Sequence, residues 1–376
     1  MDKTFNGTSL DTGWESVSSY YDKSSYGRLS LSFDITDKYI TDQNASFYNS
    51  YENEDGYNIA DELITVEAMQ AIDSNIDFSK YDFNDDGIID SVIFVYSVDH
   101  STYDDDNNPW WAWVYVNEAE HHFDNKEFGY YMWVGYYFMD EPLGPGLDGN
   151  VEYNAETYIH EMGHLFGLDD YYEQDVEKYS FLGDFDMMDR NQGDHGPFNK
   201  LILGWIEPLI IEETGIYEIT LDSFTNYESN LNNVLIIPKG NFDSNYGYSE
   251  YLAIIYYQPK GLYEKHLSDA YYNVPNKEGF IIYHINATLS NDPWYWEMFE
   301  YSNYDVGAKS LVRILEADQN NSLSGNNPIN NDDILSSGSI LLNSFKWHDG
   351  TTINVNISVG NLSQNDASLG VILSQN

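Results

Sequence analysis

The spacing of apolar positions changes character along this chain. In "NIADELITVEAMQAIDSNI" the residues Ile59, Leu63, Val66, Met69, Ile72 and Ile76 recur at three- and four-residue steps, which predicts an amphipathic helix. The alternation in "GRLSLSFDI" (27–35) predicts a strand with one polar face. "IIDSVIFVYSV" is a short continuous apolar run, the pattern of a strand buried on both faces of its sheet. After the polar loop "DDDNN" (104–108), "NPWWAWVYV" and "GYYMWVGYYF" read as further strands, either core or the wall of an aromatic groove. From residue 210 onward the pattern turns all-β. "YEITL", "NNVLIIP", "YLAIIYY", "GFIIYHINA", "SLVRIL" and "INVNISV" are short runs set apart by Asn, Asp, Gly and Ser, as in a sandwich. The junction is expected near Pro208, giving domains 1–208 and 209–376. "DQNNSLSGNNPINNDD" (318–333) is expected to be a mobile polar loop.

A second helical pattern, "ETYIHEMGHLFGLDDYYE" (156–173), carries more polar chemistry than a buried helix ordinarily holds. Asn154 is a good N-cap type, and Glu156 falls in the first turn, where the helix dipole favours an anion. At about 100° per residue, His164 lies only about 40° round from His160. Tyr158, Ile159, Met162, Leu165 and Phe166 spread over the other side. Two imidazoles thus share one face with Glu161 close by. That is an arrangement in which two neutral nitrogens hold one zinc and a carboxylate reaches a water. Gly167 can take positive φ and reverse the chain. Beyond it Asp170 can return as a third ligand, with Asp169 as competitor and Glu173 as a weaker one. Three protein ligands leave one position for water, the mark of a catalytic zinc. Further on, "GDFDMMDRNQGDHGPF" offers Met188, or alternatively Met187, as a hydrophobic floor beneath such a metal.

Composition narrows the surroundings of that site. The 376 residues include 16 Lys and Arg against 63 Asp and Glu, a formal net charge of -47 at pH 7. Such a surface repels nucleic acid and anionic membranes and suits divalent cations. There is no Cys, so any metal must be held by His, Asp, Glu or backbone oxygen. No apolar run approaches the ~20 residues of a membrane-spanning helix. Met-Asp-Lys-Thr does not open a signal peptide, so the chain is either cytosolic or a secreted protein whose leader has been removed.

The charge also draws attention to "DFNDDGIID". It places Asp82, Asn84, Asp86 and Asp90 at positions 1, 3, 5 and 9 of a calcium loop, with Gly87 at the sharp turn and Ile88 offering a carbonyl. The twelfth residue, Ile93, is not Glu, and a strand pattern follows. The expectation is a structural calcium loop that staples a strand start, outside the EF-hand class. His100, His121, His122, His266, His284 and His348 read as ordinary surface or hydrogen-bonded residues, and His195 is open.

With those motifs on the page, the chain resembles the immune inhibitor A family of secreted bacterial zinc metallopeptidases. The residues that carry the likeness are "HEMGHLFGLDDYY" (160–172), "DFDMMDR", "FNKLILGWI" (198–206), "IDFSKYDFNDDGIIDSVIFVYS", "GFIIYHIN" and "ILEAD". Two departures stand out. The family's opening apolar strand is absent ahead of "TFNG", and Ile255-Tyr256-Tyr257 replaces a Glu-Asn/Arg pair. The resemblance implies an α+β metzincin-like peptidase domain, with a twisted, mostly parallel sheet and an active-site helix, followed by a β-rich sandwich-like module. It implies His160, His164 and Asp170 as zinc ligands and Glu161 as general base, in a secreted or cell-surface endopeptidase. Protein or glycoprotein substrates are implied, with no nucleic acid and no membrane insertion. The donor to the oxyanion is open among Tyr171, Tyr172 and His195. The contrasting expectation is a catalytically silent adhesin or glycan-binding protein on the same scaffold.

Overall fold

The structure, a computed structural model, describes residues 1–54, 56–98, 109–117, 121–139, 153–172, 181–242, 247–268, 273–290, 298–300, 302, 307–324 and 326–374. Helices are α1 Asp2–Asn6, α2 Ser9–Thr12, α3 Val17–Ser24, α4 Ala45–Tyr48, α5 Ala60–Ile72, α6 Glu156–Leu165, α7 Met187–Arg190 and α8 Pro197–Ile202. None among the described residues is long and apolar enough to cross a membrane. Two compact units emerge. One gathers the described residues within 1–17, 32–143 and 148–168, the other those within 18–31 and 169–376.

In the first unit, strands β1 Val92–Tyr96, β2 Trp113–Val116 and β5 Tyr130–Gly135 form a sheet in the order β1-β5-β2. β1 pairs with β5 in parallel and β2 pairs with β5 antiparallel. A small ribbon, β3 His122–Phe123 and β4 Lys126–Glu127, precedes β5. The aromatic strands supply the core here: Trp110, Tyr131 and Trp133 are buried, with Met69 from α5 and Phe78 beside them. Asp61 of α5 is buried too, and accepts hydrogen bonds from Trp113 Nε1 at 2.9 Å and Tyr131 Oη at 2.8 Å. Helix α5 follows its apolar period but stops at Ile72, so Ile76 lies beyond it. β1 is mostly half-buried, less covered than its continuous apolar run suggests.

The expected strand at 27–35 does not form. Its alternation survives in an extended segment whose backbone bonds go to side chains, so no ladder is needed. Ser25 Oγ accepts from Leu29 N at 2.9 Å, and Asn6 both accepts from Phe33 N and donates to Phe33 O.

The second unit contains two sheets. Strands β6 Glu207–Ile210, β8 Leu231–Pro238, β9 Glu250–Tyr257, β10 Gly279–Asn286 and β11 Val312–Ile314 lie in the order β11-β10-β9-β8-β6. β7 Gly215–Asp222, β12 Ser339–Leu341, β13 Val355–Leu362 and β14 Asp366–Leu373 form an antiparallel sheet in the order β12-β13-β14-β7. The period-2 rule assigns the shared core: Leu252, Ile254 and Tyr256 of β9 and Phe280 and Ile282 of β10 meet Ala367, Leu369 and Val371 of β14. The alternate residues of β9 are buried as well. Tyr257 packs at 5.2 Å from Phe185, ahead of α7, so residues 181–202 and the sheets share one unit.

One edge of this unit holds a charged network that sets its response to acid. Arg313 Nε donates to His284 Nδ1 at 3.0 Å, which leaves the proton on His284 Nε2 to be donated to Glu250 Oε1 at 2.9 Å. Burial pulls the His284 pKa down to about 4, against the upward pull of Glu250. A histidine whose folded pKa lies below its ordinary ~6.5 stabilises fully above that value and progressively less as pH falls towards 4. Urea unfolding at pH 7 and pH 4.5 is expected to show a loss of about 2–3 kcal/mol from this group. His284→Gln should flatten that slope; an unchanged slope would assign the acid response elsewhere.

Candidate metal centre

Helix α6 is built to present imidazoles. Ala155 holds the N-cap position without a side-chain bond, and the expected cap residue, Asn154, instead accepts from Glu156 N at 2.8 Å from two residues ahead of the first helical position. Tyr158 and Ile159 are fully buried, and Tyr158 Oη donates to Gly135 O of β5 at 2.7 Å. That contact fixes the rotation of the helix about its axis, and the face bearing His160 and His164 follows from it.

The helix ends as its sequence requires. Gly167 takes φ 82°. Its N–H donates to His164 O at 2.9 Å, and Leu168 N donates to Gly163 O at 3.1 Å, the paired bonds of a Schellman turn. This turn brings Leu168 O to 2.8 Å from His164 Nδ1. A carbonyl can only accept, so Nδ1 carries the proton and Nε2 keeps its lone pair for a metal. The turn and the tautomer are one device.

His160, His164 and Asp170 each offer a ligand atom, and these atoms all lie within 4.8 Å of one another. The imidazole centroids are 4.9 Å apart with rings nearly perpendicular. Asp170 supplies the carboxylate; Asp169 is exposed and outside the group, and Glu173 lies outside the described residues. A tetrahedron with ~2 Å bonds needs ligand atoms roughly 3.3 Å apart, so small side-chain movements close the set. Two nitrogens, one oxygen and no sulfur, with one position to spare, fit a catalytic zinc. Glu161 is 6% exposed, a carboxylate held in a largely dry position beside the two histidines.

Met187 and Met188 are both fully buried in α7, which Asp186 caps by accepting from Met188 N at 2.8 Å. Met188 O in turn accepts from Tyr171 N at 2.8 Å, one residue past Asp170. Of the three candidate oxyanion donors, Tyr171 is buried and donates its hydroxyl to Asn199 Oδ1, and His195 is buried among Tyr20, Tyr21 and Trp205. Tyr172 alone of the three is partly exposed.

The acidic turn is closed by its own hydrogen bonds. Asp82 accepts from Asp86 N and Gly87 N, each at 3.0 Å, Asp86 Oδ1 from Ile88 N at 2.9 Å, and Asp90 Oδ2 from Phe83 N at 2.9 Å. Asn84 Nδ2 donates to Asp86 Oδ2 at 2.8 Å. Lys126 Nζ stands 2.5 Å from Asp82 Oδ2, where its hydrogen bond holds the carboxyl pKa below the usual range. An ammonium therefore supplies the counter-charge that calcium would bring. The staple to the next strand is present in the backbone: Ile89 N donates to Glu127 O and Glu127 N to Gly87 O.

Sequence reasoning missed a second acidic group. Glu316, Asp318 and Asp333 each place a carboxylate oxygen within 4.8 Å of the others. The stretch expected to be mobile is tied down at several points. Ile329 N donates to Gly183 O at 2.9 Å, Glu316 accepts from Leu323 N, and Leu323 and Ile329 are buried. The two buried apolar residues in a polar run were the available signal. His100 and residues 104–108 lie outside the described residues. No family model and no curated protein matches the chain.

Proposed function

We propose that this chain is a secreted zinc-dependent endopeptidase, a metzincin-like enzyme of the immune inhibitor A type. The observation that carries the reading is the convergence of His160, His164 and Asp170 beside the buried carboxylate of Glu161. His160 Nε2 or Nδ1, His164 Nε2 and an Asp170 oxygen would hold the ion. Zinc, when bound, would act as a Lewis acid on a peptide carbonyl and lower the pKa of a water. Glu161 takes that water's proton on a carboxylate oxygen and passes it to the departing amine. Its low exposure keeps bulk water from competing for the proton. Tyr172 is the favoured donor to the oxyanion, since Tyr171 is committed to Asn199 and His195 is enclosed.

The same reading assigns residues 1–208 to the peptidase domain and 209–376 to the β-rich module. Extracellular proteins or glycoproteins are the substrates, and the net charge argues against nucleic acid. Asp82, Asn84, Asp86, the Ile88 carbonyl and Asp90 would hold a structural calcium, with Lys126 at Asp82 Oδ2 as its competitor. The silent-adhesin reading is disfavoured by Glu161, which sets a carboxylate between His160 and His164 on α6, where the proposed chemistry needs its base.

Hydrolysis of an unstructured protein, followed before and after zinc removal by a chelator, tests the proposal. Cleavage should vanish with the metal and return with one equivalent of zinc. Cleavage that survives complete removal would contradict it.

A further inference from the structure

We infer that Tyr171 and Asn199 are positioning residues that set the aim of the Asp170 carboxylate, an inference that rests on the zinc reading above. Asp170 lies on a short segment between two anchors. On one side is the Schellman turn at Gly167. On the other, the chain is fastened immediately after Asp170 by two bonds from Tyr171: its N–H to Met188 O at 2.8 Å and its hydroxyl to Asn199 Oδ1.

The second bond opens a relay. Asn199 Nδ2 donates to Asp186 Oδ1 at 3.4 Å, and the same oxygen accepts from Met188 N at 2.8 Å. Asp186 Oδ2 accepts from Gly196 N at 2.7 Å, at the start of α8. One carboxylate thus caps the methionine turn, fixes the entry to α8 and orients Asn199. All of these side chains are buried: Tyr171 is 2% exposed, Asp186 1% and Asn199 0%. Solvent cannot substitute for a lost partner there, so the relay has one arrangement.

The direction of each bond matters. Asn199 must turn its oxygen to Tyr171, because its amide nitrogen is spent on Asp186, and Tyr171 must then donate. Simple filling of space would need none of this polarity. The adjacent Asp170 receives the benefit: a carboxylate on a segment pinned at both ends loses little freedom when it meets a metal. Partners bonded directly to a metal ligand typically account for 10–100-fold in metal affinity, and Tyr171 and Asn199, acting through the backbone one residue away, belong at the lower end.

The test compares zinc affinity, measured by competition with a chromophoric chelator, with the melting temperature of the metal-free protein. Tyr171→Phe is expected to raise the zinc Kd about tenfold. It should also lower the melting temperature, since Asn199 Oδ1 is left buried without its donor. The double variant Tyr171→Phe, Asn199→Leu removes both partners of that bond, leaves Asp186 Oδ1 with Met188 N alone, and should recover part of that melting temperature. Its zinc Kd should stay raised, and the visible spectrum of its cobalt form should remain shifted from wild type. A Kd that recovers along with the melting temperature, or does not change in Tyr171→Phe, overturns the inference while leaving the zinc reading intact. Wild type without stoichiometric zinc overturns both.

Discussion

Glu161→Gln is expected to lower hydrolysis of an unstructured protein by about 10²–10⁴-fold while one zinc stays bound. The amide matches the carboxylate in size, so the packing around a side chain only 6% exposed is preserved. What is lost is the ability to take a proton from water and return it to the leaving amine. The proposed zinc ligands His160 and His164 flank this residue on α6 and converge with Asp170. Activity should therefore fall without a matching fall in metal content or melting temperature. A Glu161→Gln protein with wild-type turnover would move the base elsewhere. One that loses its zinc would make Glu161 part of the metal's support.

The second large effect is one of stability. Lys200 on α8 and Asp194 are both fully buried, with Nζ 2.6 Å from Asp194 Oδ2. Ser24 Oγ donates to the other carboxylate oxygen at 2.5 Å, His195 N to the same oxygen at 2.8 Å, and Tyr227 Oη to Oδ2 at 3.0 Å. The ammonium also lies over the rings of Tyr26, Phe224 and Tyr227 at 4.4, 4.6 and 5.4 Å. Burial lowers the pKa of Lys200, and Asp194 opposes that shift. Asp194→Ala strands a buried cation and three donors, and should cost about 3–5 kcal/mol in denaturant unfolding. Lys200→Met should cost less, because the carboxylate keeps those three donors. The pair replaced together, by Asp194→Leu and Lys200→Met, should recover part of the loss. A cost below about 1 kcal/mol for Asp194→Ala would mean that water reaches the site and the pair is not structural.

How much of this could be read beforehand depended on distance along the chain. The candidate metal group of His160, His164 and Asp170 sits within a single helix and the turn after it. Helical angle and the φ of Gly167 fix its geometry locally, so the sequence carried it. Asp169 and Asp170 could not be told apart, because their difference rests on how the chain leaves the turn. Strands β7 to β11 and β13 advertised themselves by β-branched runs. β14, "DASLGVIL", hid its alternation behind Ser368 and Gly370. The glycine has a packing reason, since a Cβ there would stand 2.6 Å from Ser358 Oγ on β13.

Long-range partners were invisible for the same physical reason. Nothing near Asp82 foretells Lys126, forty-four residues away, as its counter-charge. The extended segment at 27–35 has the right alternation but finds side-chain acceptors and donors in place of a neighbouring strand. The polar stretch 318–333 is held at Gly183, which takes a φ of 61° and whose lack of a side chain leaves room for Ile329 N, where a Cβ would stand 2.5 Å away. Tyr171, Asn199 and Asp186 form their relay only once three separate segments meet.

Metal content of the purified protein, measured by mass spectrometry on wild type and on His164→Ala, addresses the central claim most directly. One zinc per chain in wild type, lost when the His164 imidazole is removed, is the expected result. Wild type that takes up no stoichiometric zinc from a zinc-containing medium would contradict the account.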